Sequence, residues 1–172
     1  LVQSGTVELG IASMPSERRA LVFTPLFEEP LGIVCRKDDP LYRKRGGRHW
    51  SDLEGRTLLA NAISDAHNIG AIPPPTQAPI VVYNVLSLLA LVRANIGITI
   101  LPKLSVSEPQ ADVGFVPIDE PDATRTVGVI TRAGEVLSPA TAALLKIVRD
   151  QLHEMADHFS ITLSDATRRE SA

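Results

Sequence analysis

The sequence predicts an α/β fold in two parts, and three observations carry that expectation. Strand-like and helix-like segments alternate along the chain, the pattern of an α/β domain with a largely parallel sheet. Two proline-marked passages, Thr24–Pro30 and Val116–Pro121, bracket the middle of the chain. The core must be aliphatic, because apolar residues make up 44% of the 172 positions while aromatics make up only 4%. Charged residues are 22% and the net charge is −3, the balance of a folded chain and not of a disordered one. That charge makes the chain by itself a poor electrostatic match for nucleic acid, and the few aromatics argue against a base-stacking platform.

Leu1-Val2-Gln3-Ser4-Gly5 reads as the last turn of a helix closing on a glycine. Val7, Leu9 and Ile11 then alternate with polar or small residues, which predicts a strand over Val7–Ala12. A domain seldom opens on the tail of a helix, so an N-terminal portion is expected to precede this sequence. Further strands are predicted over Leu31–Cys35, Thr57–Ala60, Ile96–Leu101, Val113–Ile118 and Thr126–Thr131. Ser51 with Glu54 forms a capping box stopped by Gly55, and Ser64 precedes a short helical stretch. Val82–Ala94 is apolar nearly all round and predicts a helix buried on several sides. In the last helix, Ser138 caps, Pro139 fills the first turn, and Leu145, Val148, Leu152, Met155 and Phe159 form the inner stripe. The two proline passages read as crossovers, with one subdomain inserted in another through two hinge strands and a ligand cleft between them.

Chemistry is excluded as much as indicated. The single cysteine, Cys35, allows no internal disulfide or thiolate cage, and its apolar strand predicts a buried, inert thiol. The longest apolar stretch, near Ile80–Leu91, falls short of the roughly 20 residues of a membrane span. The N-terminus lacks the pattern of a signal peptide. His153 and His158 stand at i and i+5, about 140° apart around a helix, so no metal site is expected there. Arg43–His49 is the densest basic run and reads as a solvated loop, with phosphate contact as the other possibility. No nucleophile elbow, P-loop or dinucleotide fingerprint is present, which predicts no enzyme and no cofactor.

Asn61-Ala62-Ile63-Ser64-Asp65-Ala66-His67 carries the ligand expectation from the residues themselves. A strand there runs into a helix N-terminus, whose free N–H groups and positive dipole end suit an anion. Ser64 can equally be a plain cap, and both can hold together.

Several stretches resemble the effector-binding domain of LysR-type transcriptional regulators. They are Val2–Ala12, Leu26–Arg36 with Asp39-Pro40-Leu41, Trp50–Gly55, Leu88–Pro102 (the strongest), Thr126–Arg132 and Leu137–Ala140. Their order and spacing over almost the whole chain make the resemblance specific. One departure is Asn95, where the family has Gly; Asn also tolerates the left-handed conformation. The resemblance implies a two-lobed, periplasmic-binding-protein-like (type 2) fold of two mixed, mostly parallel sheets with flanking helices. The first lobe would be incomplete, formed by 1–27 and 119–172, with 28–118 as the inserted second lobe.

The same resemblance implies a small effector, a carboxylate by class, bound between the lobes. Ser64 with Asn61, Ile63 and neighbouring amides would hold its anionic end. Ser13 and Met14 would contact it from the other lobe, and Val82 and Tyr83 would set pocket shape, with core packing as the alternative role for these four. DNA contact would belong to an absent N-terminal winged helix-turn-helix of a cytoplasmic homodimer or homotetramer, with no membrane partner. The other classes considered are a solute-binding protein of a transport system and an enzyme on the same scaffold.

Overall fold

The computed structural model describes residues 1–13, 20–61, 80–106, 111–159 and 161–169. In chain order the elements are β1 (Leu9–Ser13), β2 (Leu21–Arg36), α1 (Pro40–Arg43), a 3-10 turn (Trp50–Leu53), β3 (Leu59–Ala60) and β4 (Ile80–Val81). Next come α2 (Val85–Arg93), β5 (Thr99–Pro102), a second 3-10 turn (Lys103–Val106), β6 (Val113–Pro117), β7 (Thr124–Arg132), α3 (Pro139–Phe159), β8 (Thr162–Leu163) and α4 (Asp165–Arg169). The chain forms two compact units, Leu1–Glu29 with Arg125–Ala172, and Pro30–Thr124. It therefore crosses between them twice, at Glu29/Pro30 and at Thr124/Arg125.

In the first unit the strand order is β1-β7-β2-β8. β1 runs antiparallel to β7, with Ser13 opposite Val127, and β8 pairs antiparallel with Phe27 and Glu28 of β2. The opening turn is as expected: Gly5 N donates to Val2 O at 3.0 Å, Thr6 N to Leu1 O at 3.1 Å, and Gly5 has φ +75°. That pair of bonds is the Schellman closure, which a glycine makes without Cβ strain. Ser138 caps α3 as predicted, its Oγ accepting from Thr141 N at 3.3 Å. It also donates through N and Oγ to Glu8 Oε2, at 3.1 and 2.8 Å. Hydrogen bonds from Thr141 and Ser138 hold the Glu8 carboxyl below its ordinary value. Of the predicted α3 stripe, Leu145 is buried while Met155 is exposed.

In the second unit β2 pairs antiparallel with both β5 and β6. β3 is parallel to β4, and Leu58 bridges Ile98 in parallel, so β4, β3 and β5 run alongside one another. Side-chain alternation then makes two cores on the two faces of this sheet. Leu31, Ile33, Cys35, Ile98 and Ile100 pack with Trp50 and Val116 on one side. Val34, Leu59 and Leu101 pack with Leu88, Leu89 and Val92 of α2 on the other. The aliphatic core expected from composition is present, and Trp50 Nε1 satisfies itself on Asp122 Oδ1 at 2.9 Å.

Four sequence expectations are corrected. The sheets are mixed, but among the described residues parallel pairing is confined to β3, β4 and β5, because the returning strands pair antiparallel. The first proline passage does hold a crossing, at Glu29/Pro30, but the strand predicted to start at Leu31 runs through it: Pro25 and Pro30 lie inside the 16-residue β2, since a proline is tolerated wherever its missing N–H has no ladder partner. The turn at Trp50 begins at His49, not Ser51, with His49 N donating to Asp52 Oδ2 at 2.9 Å. Gly55 does stop it, at φ +71°. Finally, α2 is buried on one face only; Leu86 is 77% exposed.

The far end of α2 holds the substituted cap. Asn95 has φ +59°, Asn95 N donates to Val92 O at 3.0 Å and Ile96 N to Leu91 O at 3.1 Å, a second Schellman closure. Asn95→Ala is expected to lower stability by about 1 kcal/mol in urea unfolding, while Asn95→Gly leaves it unchanged or higher.

Candidate functional site

β3 and β4 are parallel and only two residues long, so the chain leaves both of them at one edge of the sheet. Leu59 is opposite Ile80 and Ala60 opposite Val81; Val82 N then donates to Ala60 O at 2.8 Å. Asn61, Val82 and Tyr83 are therefore brought together at the carboxyl ends of two parallel strands, the place where open α/β sheets bind ligands. The sequence left both pocket and packing roles open for Val82 and Tyr83. Val82 is half-buried and Tyr83 is 79% exposed, so Tyr83 is not a core residue. Asn84 caps α2, its Oδ1 accepting from Ser87 N at 3.0 Å, and the nine-residue helix starts at this same edge.

Asn61 is held from behind. Its side chain is buried, and Nδ2 donates to Thr99 Oγ1 and to Ile100 O, each at 3.0 Å. Thr99 Oγ1 in turn donates to Leu59 O at 2.8 Å. This chain of bonds ties the end of β3 to β5 and fixes the backbone at Asn61, where the strand ends.

The remaining candidates fall elsewhere. Ser13 is half-buried at the end of β1, in the first unit. Met14, Ile63 and Ser64 lie outside the described residues. Sequence reasoning missed Thr99 and Lys103. Thr99 had a signal, a single hydroxyl in the apolar run Ile98–Leu101, and it is fully buried. Lys103 comes directly after β5, which places a cation at the carboxyl edge of the third parallel strand; its Nζ lies 4.9 Å from the Phe115 ring centroid.

Other motifs are absorbed by the fold. Arg48 is not solvated, contrary to the reading of the basic run: it is buried and donates to Leu41 O at 2.9 and 2.7 Å, to Tyr42 O at 3.1 Å and to Gly46 O. Loop carbonyls that face inward need such donors. Lys44 pairs with Asp52 at 2.7 Å and His49 with Glu120 at 2.9 Å. His153 Nε2 lies 3.1 Å from Thr167 O, whereas His158 packs edge-on against Phe159. Among the described residues no group of three His, Cys, Asp or Glu could hold a metal ion, and no helix is long and apolar enough to cross a membrane.

Cys35 is fully buried in the first core of the second unit, and that burial pushes its thiol up to about 11. Because the folded value lies above the unfolded one, the associated stability is complete below about pH 8.5 and is lost as pH rises towards 11. Iodoacetamide at pH 8 is expected to leave native Cys35 unmodified and to label it fully in denaturant, by mass spectrometry.

Two compact α/β units joined by two crossings, with parallel strands ending at a common edge, define a periplasmic-binding-protein-like fold. The chain belongs to the LysR substrate binding domain family, whose model matches residues 1–153. It is 31% identical over 140 residues to the uncharacterized HTH-type transcriptional regulator YbhD of Escherichia coli, covering 77% of this chain and 44% of that one. It is 29% identical over 167 residues to the hydrogen peroxide-inducible genes activator of Dickeya chrysanthemi, covering 88% and 53%. The chain thus spans about half the length of the curated relatives it matches. The effector-binding domain of BenM with its effector benzoate shares the fold, with a TM-score of 0.73, 22% identity, and coverage of 90% of this chain and 73% of that one.

Proposed function

We propose that this chain is the ligand-sensing part of a bacterial LysR-type transcription regulator and that it binds a small carboxylate. The observation that carries the reading is the convergence of Asn61, Val82, Tyr83 and the capped start of α2 at the carboxyl edge of β3 and β4. Backbone N–H groups and the positive end of α2 favour an anion there, and the exposed Tyr83 ring offers a flat apolar surface for its carbon frame. Ser64, three residues after Asn61 in the sequence, would add a hydroxyl. Benzoate in the BenM domain is a ligand of this chemistry. The proposed lobes are 1–27 with 119–172, and 28–118.

In this reading the ligand biases an equilibrium between conformations, and the whole regulator, a cytoplasmic homodimer or homotetramer, contacts DNA through a separate segment. The exposed apolar residues Leu144 and Ile147 of α3 and Leu86 of α2 suit contacts between copies. In this reading the chain binds and does not turn over; among the described residues the edge presents no acid–base pair. Peroxide sensing through Cys35 is not part of this reading, because a peroxide-reactive cysteine needs an accessible, low-pKa thiol and Cys35 has neither property. Regulator relatives also set aside the transport reading.

Isothermal titration of the chain with small carboxylates, benzoate first, tests this. Saturable binding weakened at least about tenfold by Tyr83→Ala supports it. No binding across aromatic, aliphatic and hydroxy acids overturns it.

A further inference from the structure

The first unit holds a cavity of about 470 Å³, within the size range of small-molecule sites. Its wall joins Pro25 and Glu28 of β2, Thr126 of β7, and Leu163, Asp165 and Arg168 of the C-terminal segment. That segment lies beyond the 1–153 matched by the family model.

The C-terminal wall is fixed to the sheet. Ser164 N donates to Leu26 O at 2.9 Å and its Oγ to Pro25 O at 2.7 Å. Thr167, itself buried, donates to Leu26 O at 2.9 Å, and its carbonyl lies 3.1 Å from His153 Nε2. Arg168 directs Nε and Nη2 onto Leu163 O at 2.9 and 2.8 Å. Those two bonds set the plane of the guanidinium, and among the described residues Nη1 has no partner. Glu28 and Asp165 make no ion pair among the described residues. The cavity therefore offers two carboxylates, one oriented guanidinium, and an apolar floor of Pro25 and Leu163.

Opposite charges lining one small cavity call for a ligand carrying the complementary pair. We propose that this cavity is a second small-molecule site and that it takes a compact zwitterion, an α-amino acid by chemical class. Its ammonium group meets Glu28 and Asp165, its carboxylate meets Arg168, and its stem lies on Pro25 and Leu163. The position has a consequence for signalling. Glu28 and Thr126 are the chain neighbours of Glu29 and Arg125, whose buried ion pair ties the two crossing strands together. Alternation along each strand puts Glu28 and Thr126 on the opposite face from that pair, so occupancy stiffens the strands next to both crossings. The proposal stands independently of the carboxylate site, with which it shares no residue.

Thermal-shift and calorimetric titration of the chain with the standard amino acids tests it, with acetate and methylamine as the two half-ligands. At least one amino acid is expected to bind and raise Tm, and neither half-ligand to do so at the same concentration. Glu28→Gln, at an exposed position, is expected to keep the unligated Tm and weaken that binding about tenfold or more. Arg168→Lys is expected to weaken it as well, because an ammonium cannot reproduce the oriented fork. Three results overturn the proposal: no amino acid binds, acetate binds as well as any amino acid, or binding is unchanged in Glu28→Gln.

Discussion

Arg125→Met is expected to lower the unfolding free energy by about 3–5 kcal/mol, the cost of removing the cationic partner of a buried carboxylate. Arg125 Nε and Nη2 lie 2.7 and 2.6 Å from Glu29 Oε1, and the Glu29 side chain is wholly buried. Domains of ordinary stability hold about 5–15 kcal/mol, so the variant is expected to unfold near physiological temperature. The double variant Glu29→Leu/Arg125→Met is expected to recover much of the loss, because a buried pair gains little over well-packed apolar groups. Urea unfolding of the single and double variants checks this through the midpoint and the slope. The pair also has a topological role. Glu29 is the last residue of the first unit before the chain leaves it, and Arg125 the first on return. Its loss should therefore loosen both crossings at once, and hydrogen exchange around residues 26–32 and 122–128 should quicken.

Asn61→Asp is the second large expectation. The change conserves shape but replaces the Nδ2 donor with an acceptor facing Ile100 O, 3.0 Å away, in a buried position. An unsatisfied buried acceptor costs about 1–3 kcal/mol, and more when charged. Stability should fall by at least that much, and benzoate affinity by more than about tenfold, because a negative charge then stands at the edge proposed to hold a carboxylate. Asn61→Leu separates the two effects. It removes the same hydrogen bonds without adding charge, so affinity should suffer less than in Asn61→Asp. Urea unfolding and calorimetric titration of both variants provide the comparison.

Local signals were legible and long-range ones were not. The alternation of Val7, Leu9 and Ile11 marked β1 to within two residues. Gly5 and Asn95 both adopt the left-handed conformation that their places at helix ends called for. These features are set by residues within one or two turns of each other. By contrast, Glu29 with Arg125 and Trp50 with Asp122 are 96 and 72 residues apart, and no periodicity links them. Pro25 and Pro30 misled because the rule against proline in strands concerns only the hydrogen-bonded side. Val85 and Leu86 misled because an apolar residue on a helix does not announce which face meets the sheet.

Part of the candidate site was legible in the same sense. Asn61 and Tyr83 stand just after strand-like runs, and the parallel pairing of β3 with β4 brings the ends of those runs to one edge. The support behind Asn61 was not foreseen, because Thr99 is 38 residues away and its role depends on β5 lying beside β3.

Binding of a small carboxylate at the carboxyl edge of β3 and β4 can be read residue by residue, through amide chemical shifts during titration with the tightest-binding carboxylate. Saturating shifts are expected to be largest at Asn61, Val82, Tyr83 and the first turn of α2. Saturating shifts that leave those residues unmoved would place the carboxylate elsewhere and refute the site.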